Sequence, residues 1–175
     1  MNKIFTNKQY WMIVTLILFS FFVNFYYANI GVMAIDTFAF FDTAYNILLN
    51  RHPFKDIWIT TGPLVDYLQA ISFKLFGLNW TSYVIHGSIL NVAITLSFYF
   101  TLLKFGLNQY LSFFYSICLA TLCYVISGTP FAYIHSYVFS LISIMLFFIS
   151  IKNKSGVSFF ILPTLSFNES NINFF

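Results

Sequence analysis

Long apolar runs separated by short polar segments dominate the pattern of this chain. The four longest runs cover 10–30, 83–103, 110–127 and 134–151. The first run has 21 residues, which as an α-helix spans roughly 31 Å and matches a hydrocarbon core of about 30 Å. We therefore predict an all-α fold, a polytopic transmembrane helix bundle that forms a single membrane domain over 1–175. A fifth, truncated span is predicted at 156–167, where Pro163 and several polar residues interrupt the pattern.

The segment between the first two runs, 31–80, is amphipathic and is predicted to form the first outer loop. Its first helix follows Asp36 and has an apolar stripe at helical spacing, formed by Phe38, Phe41, Tyr45 and Leu48. Its second helix starts at Pro63, ends before Gly77 and has a stripe formed by Leu64, Leu68, Ile71 and Leu75. Both helices are predicted to be interfacial, lying along the membrane surface.

Composition excludes two broad classes of protein. Hydrophobic residues make up 59%, charged residues 7%, and the mean hydropathy is +0.81, which a water-soluble globular surface does not allow. The net charge of +3 is scattered, so no nucleic-acid partner is predicted. Cys118 and Cys123 lie in one apolar run, and we interpret them as small buried residues rather than as a disulfide or a metal site.

The basic residues predict an orientation. In a four-span arrangement with the N-terminus inside, one side of the membrane receives Lys3, Lys8, Lys104, Lys152 and Lys154. The long loop receives only Arg51, Lys55 and Lys74. Because short basic loops stay in the cytoplasm, the loop is predicted to face the periplasm or the exterior. We expect an integral protein of a bacterial inner membrane.

Four of the five acidic residues, Asp36, Asp42, Asp56 and Asp66, lie in this loop. Asp42 fits a solvated polar face, and Asp56 fits a loop position beside Lys55. Asp66 fits the first turn of a helix, where a carboxylate complements the helix dipole. Asp36 has two interpretations, as a helix N-cap or as a group at the membrane border whose pKa is raised by partial desolvation. A carboxylate of the second kind is suited to accept a proton from a hydroxyl.

The loop also resembles the first outer loop of GT-C membrane glycosyltransferases. The resemblance covers about 45 residues and rests on Asp36, then 44–48, 53–56, 62–64, Tyr67 and 75–77. These positions read D, AYNIL, PFKD, GPL, Y and LFG. The relatives meant are the dolichyl-phosphate-mannose protein mannosyltransferases and the bacterial lipid A aminoarabinose transferases.

The resemblance implies transfer of a sugar from a polyprenyl-phosphate carrier, within membrane lipid, to an acceptor hydroxyl of a glycan, lipid or protein. Asp36 matches the aspartate that the family uses as general base. We assign substrate binding to Asp56, Arg51, His52 and Lys55, although basic residues beside acidic ones also simply balance charge. Thr37 stands where the family often has Glu, so no cofactor is assigned and a divalent metal ion is left open.

Two further questions stay open in the sequence. Relatives of this class have more spans, so we expect an N-terminal fragment that is inactive alone. The alternative is a non-catalytic membrane assembly or scaffold subunit, in which the acidic residues only cap and solvate helices. His86 and His135, near span ends, either line a cavity or pack between helices.

Overall fold

A computed structural model describes residues 7–31, 34–59, 61–123 and 128–153, without the side chains of 34–36 and 152–153. Within these ranges the regular structure is helical, which confirms the predicted all-α class. The helices are α1 Asn7–Ala28, α2 Ala34–Leu48, α3 Leu64–Phe76, α4 Trp80–Lys104, α5 Gln109–Leu122 and α6 Ala132–Asn153. The predicted fifth span at 156–167 lies outside the described residues.

Three of these helices are long and apolar enough to cross a membrane: α1, α4 and the segment Ala132–Ile151 of α6. They lie where three of the four spans are predicted. The remaining predicted span, 110–127, contains α5, which is apolar but has 14 residues. Residues 124–127 lie outside the described part of the chain.

Contacts between distant residues give the directions of the long helices. Met12 and Ser20 of α1 contact Tyr99 and Asn91 of α4 in reverse order, so these two helices are antiparallel. At one end of α4, His86 contacts His135 of α6, and beyond the other end Phe105 contacts Phe148. Helices α4 and α6 therefore run in the same direction. Helix α5 returns the chain between them.

Small and polar side chains form many of the contacts between these helices. The buried residues of α1 recur every four positions: Leu16, Ser20, Asn24 and Ala28. The Asn91 amide donates to the Ser20 carbonyl at 2.9 Å and to the Ala120 carbonyl at 3.0 Å, which joins α4 to α1 and α5. Large apolar side chains lie both in a core between α4 and α6, as Ile94 and Val138 do, and on exposed faces, as Phe22, Phe114 and Ile144 do. This distribution is compatible with a membrane protein, since close helix packing there depends on small residues and polar contacts.

Helices α2 and α3 lie at the end of the long helices where α4 begins. The Tyr83 hydroxyl of α4 donates to the Thr37 carbonyl at 2.9 Å and to the Pro130 carbonyl at 3.2 Å. Ser72 of α3 donates to the Ser82 carbonyl at 2.9 Å. Helix α3 ends at Gly77, whose φ of 88° lies in the left-handed region that glycine adopts at little cost.

The apolar stripe predicted for α3 does not face the protein. Leu64, Ile71 and Leu75 are 52%, 56% and 70% exposed. The buried face is instead formed by Val65, Asp66, Gln69, Ala70, Ser72 and Phe73. The helix thus turns a partly polar face inward, because its neighbours α2 and α4 offer hydrogen-bonding groups as well as aromatic rings.

Candidate functional site

A cavity of about 410 Å³ lies beside α2 and the start of α6. Sites for small molecules commonly measure about 300–1,000 Å³ and combine apolar walls with a few polar groups. Aromatic side chains supply much of the wall here, namely Phe40, Trp58, Phe131 and Tyr133. The polar lining comes from Thr43, Thr61 and Asp66.

Asp66 is the carboxyl group in this lining, and it is 1% exposed. Its position follows from helical spacing: Gln69, Ala70 and Phe73 lie three, four and seven residues further along α3 and are also buried. The apolar partners Ala70 and Phe73 pack against Ala44 and Tyr83. Packing of this face therefore carries Asp66 inward with it.

Burial changes the acid–base behaviour of Asp66. Desolvation raises the pKa of its carboxyl to about 7, while a hydrogen bond from its own backbone N–H opposes the rise. The carboxyl oxygen Oδ1 has no hydrogen-bond partner among the described residues. A carboxyl group with these properties is able both to donate and to accept a hydrogen bond near neutral pH.

Asp36 is the third residue of α2, within its first turn. The N-cap interpretation is wrong, because α2 begins at Ala34, two residues earlier. The side chain of Asp36 lies outside the described part of the chain. Along the helix, position 36 precedes the cavity-lining residues Ala39, Phe40 and Thr43 by three, four and seven residues.

The four predicted binding residues lie together in the exposed link that follows α2. Asp56 accepts a hydrogen bond at 2.8 Å from the backbone N–H of His52, which closes a local turn. The Arg51 guanidinium donates to the Asn46 side-chain oxygen at 3.3 Å, and the His52 ring lies 3.3 Å from the Tyr67 hydroxyl. Lys55 is exposed on the same turn. These residues are neighbours, but none of them lines the cavity.

His86 and His135 belong to a buried polar chain that joins α3, α4 and α6. Gln69 lies 2.8 Å from His86 Nδ1, the two Nε2 atoms are 3.2 Å apart, and His135 Nδ1 lies 2.8 Å from the Phe131 carbonyl. The histidines thus pack between helices, and the sequence left that interpretation open. Helix α3 is attached through them to the two helices beneath it.

The hydrogen positions in this chain follow from its last acceptor. The Phe131 carbonyl only accepts, so His135 Nδ1 donates to it and a neutral His135 accepts at Nε2. His86 then donates from Nε2 and accepts at Nδ1. The Gln69 amide consequently presents its nitrogen to His86, and this orientation pairs an Nε2 group that otherwise has no partner.

No three His, Cys, Asp or Glu side chains lie close enough together to hold a metal ion within the described ranges. The side chain of Asp36 lies outside these ranges. Among the described residues around the cavity, Asp66 supplies the carboxyl group that could bind a metal ion. We therefore derive no step through a metal ion.

Asp66 is the residue whose position the sequence did not predict. Its place in the first turn of α3 favours a helix-dipole role, and the interfacial interpretation of the helix assigned no packing partner to the face that carries Asp66. One signal was present: Asp66, Gln69 and Phe73 share a helical face with small residues at 70 and 72. Small residues beside polar ones favour close helix packing in a membrane protein.

Comparisons with protein-family profiles, with curated proteins and with solved structures found no match for this chain.

Proposed function

We propose that this protein takes part in a membrane glycosyltransferase reaction, in which a sugar passes from a polyprenyl-phosphate carrier to an acceptor hydroxyl at the outer membrane face. The observation that supports this proposal best is the cavity beside α2. Its aromatic walls and the buried carboxyl group of Asp66 suit a sugar ring, which has apolar C–H faces and hydroxyl groups at its edge.

Asp36 is the general base of the proposed reaction. The position of residue 36 in α2, on the helical register of Ala39, Phe40 and Thr43, supports this role. The carboxylate takes the proton of the acceptor hydroxyl while the hydroxyl oxygen bonds to the sugar carbon that carries the phosphate. The bond from that carbon to the phosphate oxygen breaks, and its electron pair leaves with the lipid phosphate. The configuration at the carbon is inverted.

The same proposal places the chain in a membrane with four crossings. The reversal of direction along α1, α4, α5 and α6 supports it, and so do their exposed apolar faces. Helices α2 and α3 then lie at the outer surface, with the exposed stripe of α3 in contact with lipid. Arg51 and Lys55 sit on the adjacent turn, where a cation attracts the carrier phosphate.

A transfer assay in native membranes tests the proposal, because the protein there keeps any partner chains that it needs. The donors are radiolabelled polyprenyl-phosphate sugars, offered singly. Asp36→Asn is expected to lower transfer by about 10²–10⁴-fold, the usual contribution of a general base. Asp42→Asn is the matched control, because Asp42 is an exposed carboxylate of the same helix, and it is expected to retain full transfer.

Undiminished transfer by Asp36→Asn would remove Asp36 as the base. Absence of transfer from every donor in membranes that contain the wild-type protein would favour the scaffold alternative.

A further inference from the structure

We infer that Asp66 binds a hydroxyl group of the sugar, so that the cavity holds the uncharged ring of the donor and not its phosphate. The inference rests on the proposed function for the choice of a sugar among polyhydroxylated ligands. The inference otherwise rests on the described residues alone, namely on the carboxyl group of Asp66 and on the shape and charge of the cavity lining.

The first argument is the unused hydrogen-bonding capacity of Asp66. Its side chain is 99% buried, lines the cavity, and leaves Oδ1 without a partner in the described ranges. A buried polar atom without a partner costs about 1–3 kcal/mol. A ligand hydroxyl that hydrogen-bonds to Oδ1 removes this cost.

Several polar neighbours of Asp66 have hydrogen-bond partners within the protein. Gln69, on the same face, is joined to His86 at 2.8 Å, and Ser72 donates to the Ser82 carbonyl at 2.9 Å. Thr43, which also lines the cavity, donates to the Ala39 carbonyl of its own helix. Gln69 pairs only one end of its amide in these contacts, so what sets the Asp66 oxygen apart among the described residues is its place on the cavity wall.

The charge of the lining argues against a phosphate. The described residues that line the cavity include no Lys or Arg, and their only ionisable acid is Asp66. An anion there would lack a cationic partner and would be repelled by the carboxylate. A neutral ring instead packs on Phe40, Trp58 and Tyr133, and the 86% exposed Trp58 is free to cover it from outside.

The protonation behaviour of Asp66 fits a neutral ligand. With a pKa of about 7, the carboxyl is protonated in a substantial fraction of molecules at neutral pH. It then offers an O–H donor together with a carbonyl acceptor, and a sugar hydroxyl pairs with either of them.

Ligand binding by the full chain in nanodiscs tests the inference. Glycoside detergents are avoided, because they would compete for the cavity. The probes are the methyl glycosides of common hexoses, hexosamines and pentoses, with inorganic phosphate as a separate probe, and binding is read by saturation-transfer NMR. The variants are Asp66→Asn, which keeps a neutral donor and acceptor, Asp66→Leu, which removes both, and the exposed control Asp42→Asn.

At least one neutral glycoside is expected to bind the wild type. Asp66→Leu is expected to weaken that binding by about 5- to 10-fold, as the loss of one neutral hydrogen bond predicts. Asp66→Asn and Asp42→Asn are expected to stay within about 2-fold of the wild type. Monodisperse elution and unchanged helical circular dichroism show that each variant is folded.

The inference is wrong if no glycoside binds the folded wild type, if folded Asp66→Leu binds as well as the wild type, or if phosphate binds in the cavity in their place. If Asp66→Leu misfolds, Asp66→Ala takes its place, and binding by folded Asp66→Ala that equals the wild type overturns the inference. These outcomes are distinguishable from the outcomes of the transfer assay that tests the proposed function. Glycoside binding without any transfer would overturn the reaction alone, and transfer with binding insensitive to residue 66 would overturn the inference alone.

Discussion

At the scale of single residues, the structure separates carboxylates that look equivalent in the sequence. Asp42 and Asp56 are exposed, and Asp56 accepts a backbone hydrogen bond within its own turn. Asp66 is buried beside a cavity with an oxygen unpaired among the described groups. Burial, and not position in a helix, is therefore what raises the pKa of Asp66.

The raised pKa of Asp66 predicts a pH-dependent stability. Between pH 4 and pH 7 the folded protein binds a proton at Asp66 that the unfolded chain releases, so stability falls as pH rises through this window. One pKa unit corresponds to about 1.4 kcal/mol, so the loss above pH 7 is at most about 4 kcal/mol. Thermal unfolding in nanodiscs from pH 4 to pH 8 measures it.

Asp66→Asn is expected to flatten this pH dependence, because the amide does not ionise. Asp42→Asn is the control and is expected to follow the wild type. The burial of an ionisable Asp66 would be contradicted if the unfolding midpoint rose from pH 4 to pH 8 by the same amount in the wild type and in both variants.

At the scale of the elements, two close approaches hold the helices together. Asn91 ties α4 to the backbones of α1 and α5. Gly128, before α6, brings the chain against Ala28 at the end of α1, and its carbonyl accepts from Asn24 at 3.0 Å. In the first contact an amide donates to backbone carbonyls, and in the second two small residues approach closely. Both are expected where helices pack closely.

Asn91→Ala is expected to lower stability by about 1–3 kcal/mol, because two interhelical hydrogen bonds are lost from a fully buried position. Ser97→Ala is the control, since the Ser97 hydroxyl donates to the Ala93 carbonyl of its own helix at 2.8 Å and bonds to no other helix among the described residues. Denaturation of both variants in the same lipid environment measures the difference. Equal losses would show that the Asn91 bridges contribute little.

Gly128→Ala is expected to destabilise the protein more than Gly106→Ala. Both glycines have positive φ, 63° and 92°, which costs other residues about 1–2 kcal/mol. A Cβ at position 128 would also lie 2.5 Å from Ala28 Cβ and 2.6 Å from its Cα, whereas position 106 is open. The clash adds about 1–3 kcal/mol.

The two alanine variants are compared by thermal unfolding midpoints. Gly106→Ala measures the cost of the backbone conformation, and the excess at Gly128 measures the clash. A midpoint for Gly128→Ala equal to that of Gly106→Ala would show that the turn at Gly128 moves away from α1 at no cost in stability.

At the scale of the whole molecule, the polar and apolar surfaces are sorted along the helices. The loop helices, the cavity and the exposed charged turn occur where α4 begins, and Lys104 lies at its other end. Helix α4 has 25 residues, which separates its ends by about 37 Å at 1.5 Å per residue. A membrane around α4 would therefore place the loop helices and the cavity on one side and Lys104 on the other.

Cysteine labelling tests this arrangement in intact cells. In a background with Cys118 and Cys123 replaced by alanine, Lys55→Cys is expected to react with a membrane-impermeant maleimide added outside. Lys104→Cys is expected to react only after the membrane is permeabilised. Labelling of both positions from the same side would exclude a membrane-spanning α4, and the reverse pattern would overturn the predicted orientation.

The sequence by itself determined the local features of this protein. Helical class, the positions of the long apolar helices and the two helices of the loop follow from hydrophobic periodicity and from Gly and Pro, which act within a few residues. The resemblance to a transferase loop and the role of Asp36 remain proposals, because no described side-chain contact bears on them.

Only the tertiary structure decided which face of each amphipathic helix is buried. The apolar stripe of Leu64, Ile71 and Leu75 is exposed, and the sequence did not show that the opposite face, which carries Asp66, is buried. The contacts responsible join Gln69 to His86, and His86 to His135, over 17 and 49 positions of the chain. Periodicity defines two faces of a helix, but the partner that covers one of them lies far away in sequence, and in lipid an apolar face is stable whether it is packed or exposed.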